Sequence, residues 1–369
     1  MPRRRTRTEY FFSDFDSSCA VGVLKNSCAR RGCLYDTHKN APRCTEFDYI
    51  DYLVASPRTV TCTEAARVQP PRKDAPAHDA FSRLLYRAES DPEALWQEAR
   101  PLVRRTDGVL VLDDSTLDKP YAETIELVGW HWSGKHRAVV RGINLISLVW
   151  TDGDRTIPCD YRLYDKARDG LTKNDHFRAM LAAAAQRGFA PRCILFDQWY
   201  AGLENLKAIR ALGWSWLTQL KPNRLVNSDG SGSVPVSLAG VTPAGRVVHL
   251  QGYGRIKVFA IAAKDGGIEY WATNDLEMSE LTRLELAERV WAVEEYHRGL
   301  KQYCGVERCQ ARGHTAQRNH VGLAIRALLR LEWHRYSTGV SWAEAKARVI
   351  REAVRHYVAC PLYVLPGTA

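Results

Sequence analysis

Glu294, Arg298 and Lys301 stand at i, i+4 and i+7 in the run WAVEEYHRGLK (Trp291–Lys301), so on a helix they share one face. A carboxylate beside two cations suits a metal ion next to a phosphate backbone. Upstream, two apolar runs end in aspartate, VLVLDD (Val109–Asp114) and CILFD (Cys193–Asp197). Two strand-end aspartates and a helical glutamate offer oxygen ligands for Mg²⁺, a hard ion usually held by one or two carboxylates plus substrate phosphates. Two such ions ~4 Å apart activate an oxygen nucleophile and stabilise a leaving oxygen, as phosphodiester hydrolysis and strand transfer require. The expected cofactor is a pair of Mg²⁺ ions, with Mn²⁺ as a substitute.

The ligand set is Asp114, Asp197 and Glu294. Alternation along a strand puts Asp113 and Asp114 on opposite faces, so only one can point at a common metal. Asp114, which precedes Ser115-Thr116, is favoured, and Asp113 stays open as the alternative. Asp197 stands alone after its apolar strand. Glu294 and Glu295 point about 100° apart on a helix; Glu294 is chosen because it shares a face with Arg298 and Lys301, the two cations placed to hold phosphates. Each acidic residue alone reads better as a helix cap or a solvated strand end. The three in this order are what carry the argument.

The elements that must position these groups follow from periodicity. Residues 1–45, rich in Arg, Cys, Asp and Ser, read as a flexible basic arm or an extension upstream of the natural start. Cys28, Cys33, His38 and Cys44 there have spacings unlike a standard zinc finger. Helices are predicted at 46–56, 62–69, 77–89 and 91–105, broken by Pro57 and by Pro70–Pro76. They form a small helical domain, 46–106, read as DNA-binding. Strands follow at Val109–Asp113, Gly142–Thr151 and Thr156–Leu163, with a hairpin at Asp152-Gly153-Asp154. Next come a helix at Lys173–Gly188, a strand at Arg192–Asp197, a helix at Gly202–Leu212 and a strand at Trp214–Leu220. The order β-β-β-α-β-α-β is mixed α/β, a meander followed by parallel crossovers. A β-rich insertion, 221–276, precedes one helix over roughly 279–303. The catalytic core spans 107–304 including that insertion, and 305–369 is helical and basic.

Composition sets the partner. The 369 residues carry 52 Lys+Arg against 42 Asp+Glu, a formal charge of +10, which favours a polyanion. The excess is uneven. Residues 1–45 hold nine Lys/Arg against four Asp/Glu and residues 289–369 hold thirteen against six, leaving the centre slightly acidic. Basic flanks around an acidic centre fit DNA gripped beside a metal site. Solvated helix faces are the plainer explanation of the same charges. No apolar run reaches membrane-spanning length and no signal-peptide core follows the Arg-rich start. The ten cysteines form no regular framework, so a reduced, cytoplasmic setting is expected, nucleoid-associated when bound to DNA.

The pattern resembles the DDE transposases of bacterial insertion sequences, in particular the insertion-sequence-four group with its Tyr-x2-Arg-x3-Glu-x6-Lys signature. Glu294 and Lys301 have the x6 spacing. Trp291, Glu295, Tyr296, His297, Arg298, Gly305, Glu307 and Arg308 resemble the same region. LDDSTLDKPYA resembles the first-aspartate strand and ILFDQWYAGLENLKAI the second, and a β insertion before the glutamate marks the group. The likeness covers roughly residues 46–340. It implies a ribonuclease-H-like mixed sheet flanked by helices, with double-stranded DNA (terminal inverted repeats and target) as partner. It also implies a homodimer in the DNA complex and Mg²⁺-dependent cutting and rejoining of ends. The signature Tyr and Arg would fall at Ala287 and Val290, so neither is present; Arg289 could supply the cation from a neighbouring position. Trp271 in the insertion is a candidate for stacking a flipped base, worth ~1–3 kcal/mol, though a core role reads better for it. Trp130, His131 and Trp132, in a Gly/aromatic loop, are further possible DNA contacts.

Three rival readings fit the same residues. One is a ribonuclease-H-like nuclease that cuts without joining. Another is a domesticated DNA-binding protein without catalysis, suggested by the missing Tyr and Arg. A glycosidase using paired carboxylates is disfavoured, because a basic helical glutamate suits phosphate better than sugar.

Overall fold

The computed structural model describes residues 43–361 apart from 59, 72, 264 and 265. Four helices open it: α1 (Glu46–Ala55), α2 (Cys62–Arg67), α3 (His78–Arg87) and α4 (Pro92–Ala99). Their starts follow from side chains that accept the free N–H groups of a first turn, Thr45, Thr61 and Asp91, the last followed by Pro92. The expected arm over 1–45 and the candidate zinc ligands Cys28, Cys33 and His38 lie outside the described residues, except for the segment's last three. Of these, Cys44 is buried.

Strand β1 (Val109–Asp118) is the centre of a mixed sheet. Val109 to Leu112 are all fully buried, as expected of a strand covered on both faces. β1 pairs antiparallel with β3 (Ala138–Thr151), whose second half pairs antiparallel with β4 (Thr156–Leu163). On its other side β1 runs parallel to β5 (Cys193–Phe196), and β5 parallel to β6 (Trp216–Leu220). The order β4-β3-β1-β5-β6 is the ribonuclease-H-like arrangement. Crossover helices α6 (Lys173–Gln186) and α7 (Leu203–Ala211) follow β4 and β5, with a short α5 (Lys166–Asp169) between β4 and α6. Gly108, at φ +77°, starts β1 where a Cβ would come within 2.6 Å of Trp150 Nε1. Only glycine fits there.

Three strands were not legible in the sequence. β2 (Gly129–Ser133) pairs with the first half of β3, which is therefore four residues longer than its apolar run. β7 (Leu225–Asn227) and β8 (Val234–Pro235) are too short to show a period. With β9 (Arg246–Leu250), β10 (Gly254–Ala262) and β11 (Ile268–Thr273) they make up the insertion. The insertion does not form a separate sheet. β11 pairs antiparallel with β6, from Tyr270↔Leu220 to Thr273↔Leu217, and carries the sheet on through β10, β9, β7 and β8.

The helix expected over 279–303 is two, α8 (Glu280–Arg289) and α9 (Trp291–Tyr303). At Val290 the N–H turns to the Ala287 carbonyl at 3.2 Å, a 3₁₀-type tightening that redirects the axis. α8 then touches β5 and β6, while α9 covers β1, β3 and β4.

Helix α10 (His314–Thr338) runs through the interior, with Val321, Leu323, Ala324, Ile325, Ala327 and Leu328 all buried. It is the surface on which α1, α3 and α4 pack. Gly322 makes this possible, since a Cβ there would lie 2.4 Å from the Ser90 carbonyl and 2.5 Å from the Tyr161 hydroxyl. Two basic residues of α10, His320 and Arg326, are buried. Arg326, with only 5% of its side chain exposed, pairs with Glu46 of α1 and Glu98 of α4. Arg330 also bonds Glu98, and Arg335 bonds Glu332. α11 (Trp342–Ala359) docks by its first turns, where Lys346 donates to the carbonyls of Leu53, Val54 and Ser56.

Arg326→Ala should destabilise the chain by about 3 kcal/mol in urea unfolding. That is the low end of the ~3–5 kcal/mol for breaking a buried pair, because both glutamates keep some contact with water. A loss below ~1 kcal/mol would show that these ion pairs do not anchor the N-terminal helices.

Candidate active site

The strand expected to end at Asp113 runs on to Asp118, so two adjacent carboxylates stand midway along β1 and point to opposite faces of the sheet. Asp113 lies opposite Ser147 in register, and Ser147 Oγ meets His297 Nε2 of α9 at 3.2 Å. Asp113 is therefore on the α9 side, facing the helix that carries Glu294. Asp114 is on the α6 side. Its Oδ2 accepts from Lys173 Nζ at 2.8 Å and Asn144 Nδ2 at 2.7 Å, and its Oδ1 from the Tyr200 hydroxyl at 2.7 Å. Lys173 is the first residue of α6, whose start is set by the Thr172–Asp175 capping box.

Asp197 lies just past β5 and caps the turn Gln198–Tyr200. Glu294 sits in the first turn of α9. Asp113, Asp197 and Glu294 line one cleft of about 460 Å³, with Asp114, Lys173, Trp132, Trp199 and Trp271 also on its walls. A second cleft of about 860 Å³ shares Asp113, Asp114, Trp132 and Glu294 and continues past Arg298 and Lys301. Among the described residues no three acidic, His or Cys side chains draw together into a ready-made metal cage; the carboxylates line a common cleft instead.

Electrostatics separate the two aspartates. Burial raises Asp113 well above the usual carboxylate range, and the charges of Asp114, Asp197 and Glu294 push the same way. Burial also pushes Asp114 up, but the Lys173 ammonium and the hydrogen bonds from Asn144, Lys173 and Tyr200 outweigh it, so Asp114 is held low. Burial raises Glu294, partly offset by Arg298. His297, buried beneath the site and next to the Lys301 ammonium, is depressed to about 3 and stays neutral.

The expected DNA contacts are placed as follows. Arg298 is exposed, with its guanidinium 5.5 Å from the Trp291 ring, and lines the larger cleft. Lys301 lines the same cleft but is tied down, donating to the Thr116 carbonyl at 2.8 Å and pairing with Glu307 at 3.4 Å. Arg289, in the last turn of α8, lines neither cleft. Trp271 is buried at the edge of the smaller cleft, its indole N–H donating to Glu269 at 2.9 Å. Trp130 and Trp132 of β2 are well exposed, and Trp132 reaches both clefts. His131 between them is half-buried against Tyr164. Lys173 and Trp199, absent from the sequence expectation, carry no periodic signal. Trp199 could have been noticed only as the exposed aromatic two residues after Asp197.

This fold, with acidic side chains just past the point where β1 and β5 stop pairing, is the layout of a ribonuclease-H-like core. The description "Transposase DDE domain" matches residues 104–330, more than half of the sequence, and the chain belongs to that family. The match is to the family as a whole, without resolving a subgroup. No curated protein matches. Among solved structures, the chain is similar to a piggyBac transposase synaptic complex with hairpin DNA, at 12% identity and TM-score 0.49, over 95% of this chain and 82% of that one. It is also similar to a mariner Mos1 paired end complex with Mg, at 13% identity and TM-score 0.17, over 53% and 65%. A Mos1 strand transfer complex gives 10% identity and TM-score 0.19, over 85% and 81%.

An ionised Asp113 costs the metal-free fold stability, and the cost grows as pH rises through its elevated folded pKa. Asp113→Asn should therefore melt at the same temperature as the unaltered protein at low pH and ~2 °C higher at pH 8, the order of shift for ~1 kcal/mol in a chain of this size. A lower melting temperature at pH 8 would contradict the crowded-carboxylate geometry.

Proposed function

We propose that the chain is a metal-dependent DNA transposase, cutting the ends of its element and joining them to target DNA. The observation that carries this reading is the set of carboxylates, Asp113, Asp197 and Glu294, lining one cleft in a chain of the DDE family. Asp113 replaces Asp114 in the expected trio for a physical reason. Asp114 already satisfies a lysine, an amide and a phenol on the opposite face. Asp113 accepts no side-chain hydrogen bond among the described residues and lies on the sheet face covered by α9, the helix that carries Glu294.

The donor set fits Mg²⁺. It is all oxygen, and it leaves coordination positions open for water and phosphate rather than closing a full cage. When bound, the divalent ions would polarise the scissile phosphate and make an oxygen nucleophile available near neutral pH. Asp113, Asp197 and Glu294 would hold them from the middle of β1, the turn after β5 and the first turn of α9. Arg298 is placed to neutralise phosphate oxygens along the larger cleft. Lys301 has a different job: by donating to the Thr116 carbonyl it pins α9 to β1 and so sets the approach of Glu294 to Asp113. Trp132 and Trp199, both exposed on the cleft wall, offer flat faces to nucleotides near the cut. Water as nucleophile would release the end, and the freed 3′ hydroxyl in the same position would attack target DNA. Double-stranded DNA is the proposed partner, bound by two copies of the chain. Among the described residues no helix is long and apolar enough to cross a membrane.

Asp197→Asn should abolish Mg²⁺-dependent cleavage of the flanking end DNA while leaving end binding within severalfold, because phosphate contacts supply most of the affinity. Full cutting by this variant would exclude Asp197 as a ligand. Arg298→Ala should lower the magnitude of the log K against log salt slope by about 0.9 on duplex DNA, equally for different end sequences. An unchanged slope would remove Arg298 from the DNA surface.

A further inference from the structure

We propose that Asp114 is a positioning residue that fixes Asp197 relative to Asp113, acting through Tyr200. The inference rests on the three-carboxylate reading above. It starts from a gap in the backbone ladder. The parallel pairing of β1 with β5 ends at Leu112↔Phe196, one residue short of both Asp113 and Asp197. Beyond that point no backbone pairing between these two strands sets the spacing of the two aspartates.

A side-chain strut spans the gap. The Tyr200 hydroxyl donates to Asp114 Oδ1 at 2.7 Å. Tyr200 closes the turn that Asp197 begins, and its N–H bonds the Asp197 carbonyl at 3.0 Å. The phenol is fully buried and held flat on Phe177, with ring centroids 5.2 Å apart and planes at 20°. The Tyr200 carbonyl is held in turn by Asn205 Nδ2 at 2.9 Å. On the strand side, Asn144 and Lys173 fix the Asp114 carboxylate at two further points. Asp114 and Asp113 are neighbours on one stiff strand, so fixing Asp114 against Tyr200 fixes the Asp197 turn against Asp113. Among the described residues the Tyr200 hydroxyl has no other hydrogen-bond partner, and a phenol that reaches a carboxylate one strand away serves no packing need that Phe would not meet.

The test is Mn²⁺ binding to the full chain, followed by electron paramagnetic resonance in the absence of DNA, with DNA cleavage measured alongside. Asp114→Asn and Tyr200→Phe should each weaken Mn²⁺ binding about tenfold, the low end of what loss of a group supporting a metal ligand costs. The double variant should be little worse than the weaker single one, because both break the same strut. Cleavage by both should return towards the unaltered rate at saturating Mn²⁺, and metal-free DNA affinity should not change. Asp113→Asn should lose Mn²⁺ binding without recovery. Mn²⁺ binding at unaltered strength in Tyr200→Phe would overturn the proposal. So would an unrecoverable loss in Asp114→Asn that Tyr200→Phe does not share, which would make Asp114 itself a ligand. If Asp114→Asn does not fold, Tyr200→Phe decides the matter alone. Unaltered Mn²⁺ binding in Asp113→Asn would instead defeat the three-carboxylate reading, a result distinct from either of the others.

Discussion

Two adjacent ionisable side chains on one buried strand cannot share a face, and the site is organised around that constraint. Strand geometry sends Asp113 and Asp114 in opposite directions, into surroundings of opposite character. On one face, α9 brings more negative charge. On the other, α6 begins with a lysine and the turn after β5 supplies a phenol. A carboxylate among donors is stable as it stands. A carboxylate among carboxylates is stable only if something cationic joins it. The sheet thus separates a self-sufficient aspartate from a needy one, and neediness is what a metal ligand requires.

The elements were largely readable because their signals are local. Cap residues and prolines marked the N-terminal helices, and the apolar runs and the hairpin at Asp152-Gly153-Asp154 marked the main strands. The choice between Asp113 and Asp114 was not readable in the same way. VLVL is buried on both faces, so it shows no alternation to say which side is which. What favours Asp113 in the proposed site is the register with Ser147 and the contact of Ser147 with His297, both long-range. The break at Val290 was hidden for a similar reason: nothing in LAERVWAVEEY interrupts helical propensity, and the bend is imposed by what each half packs against. β7 and β8 are shorter than any period that could announce them.

Charge counting also had a limit. The C-terminal basic excess suggested a grip on a polyanion, yet Arg326 and Arg330 hold the α1 and α4 helices to α10, and Lys346 anchors α11 to carbonyls at the end of α1. These cations serve the fold. Net charge cannot distinguish a guanidinium facing phosphate from one facing a buried glutamate; only the neighbours do. Of the cations left at the larger cleft, Arg298 is exposed and stands on the helix that carries Glu294.

The insertion leaves the core after Leu220 and returns at Tyr270, and these two residues are register partners. Its neck is therefore closed by the same hydrogen bonds that join β6 to β11, whatever lies between. In polymer terms the segment is a loop with pinned ends, and doubling the length of such a loop costs only ~0.6 kcal/mol. Selection can then lengthen, shorten or exchange this lobe almost freely, while β1, the turn after β5 and the helix that carry the carboxylates stay where they are.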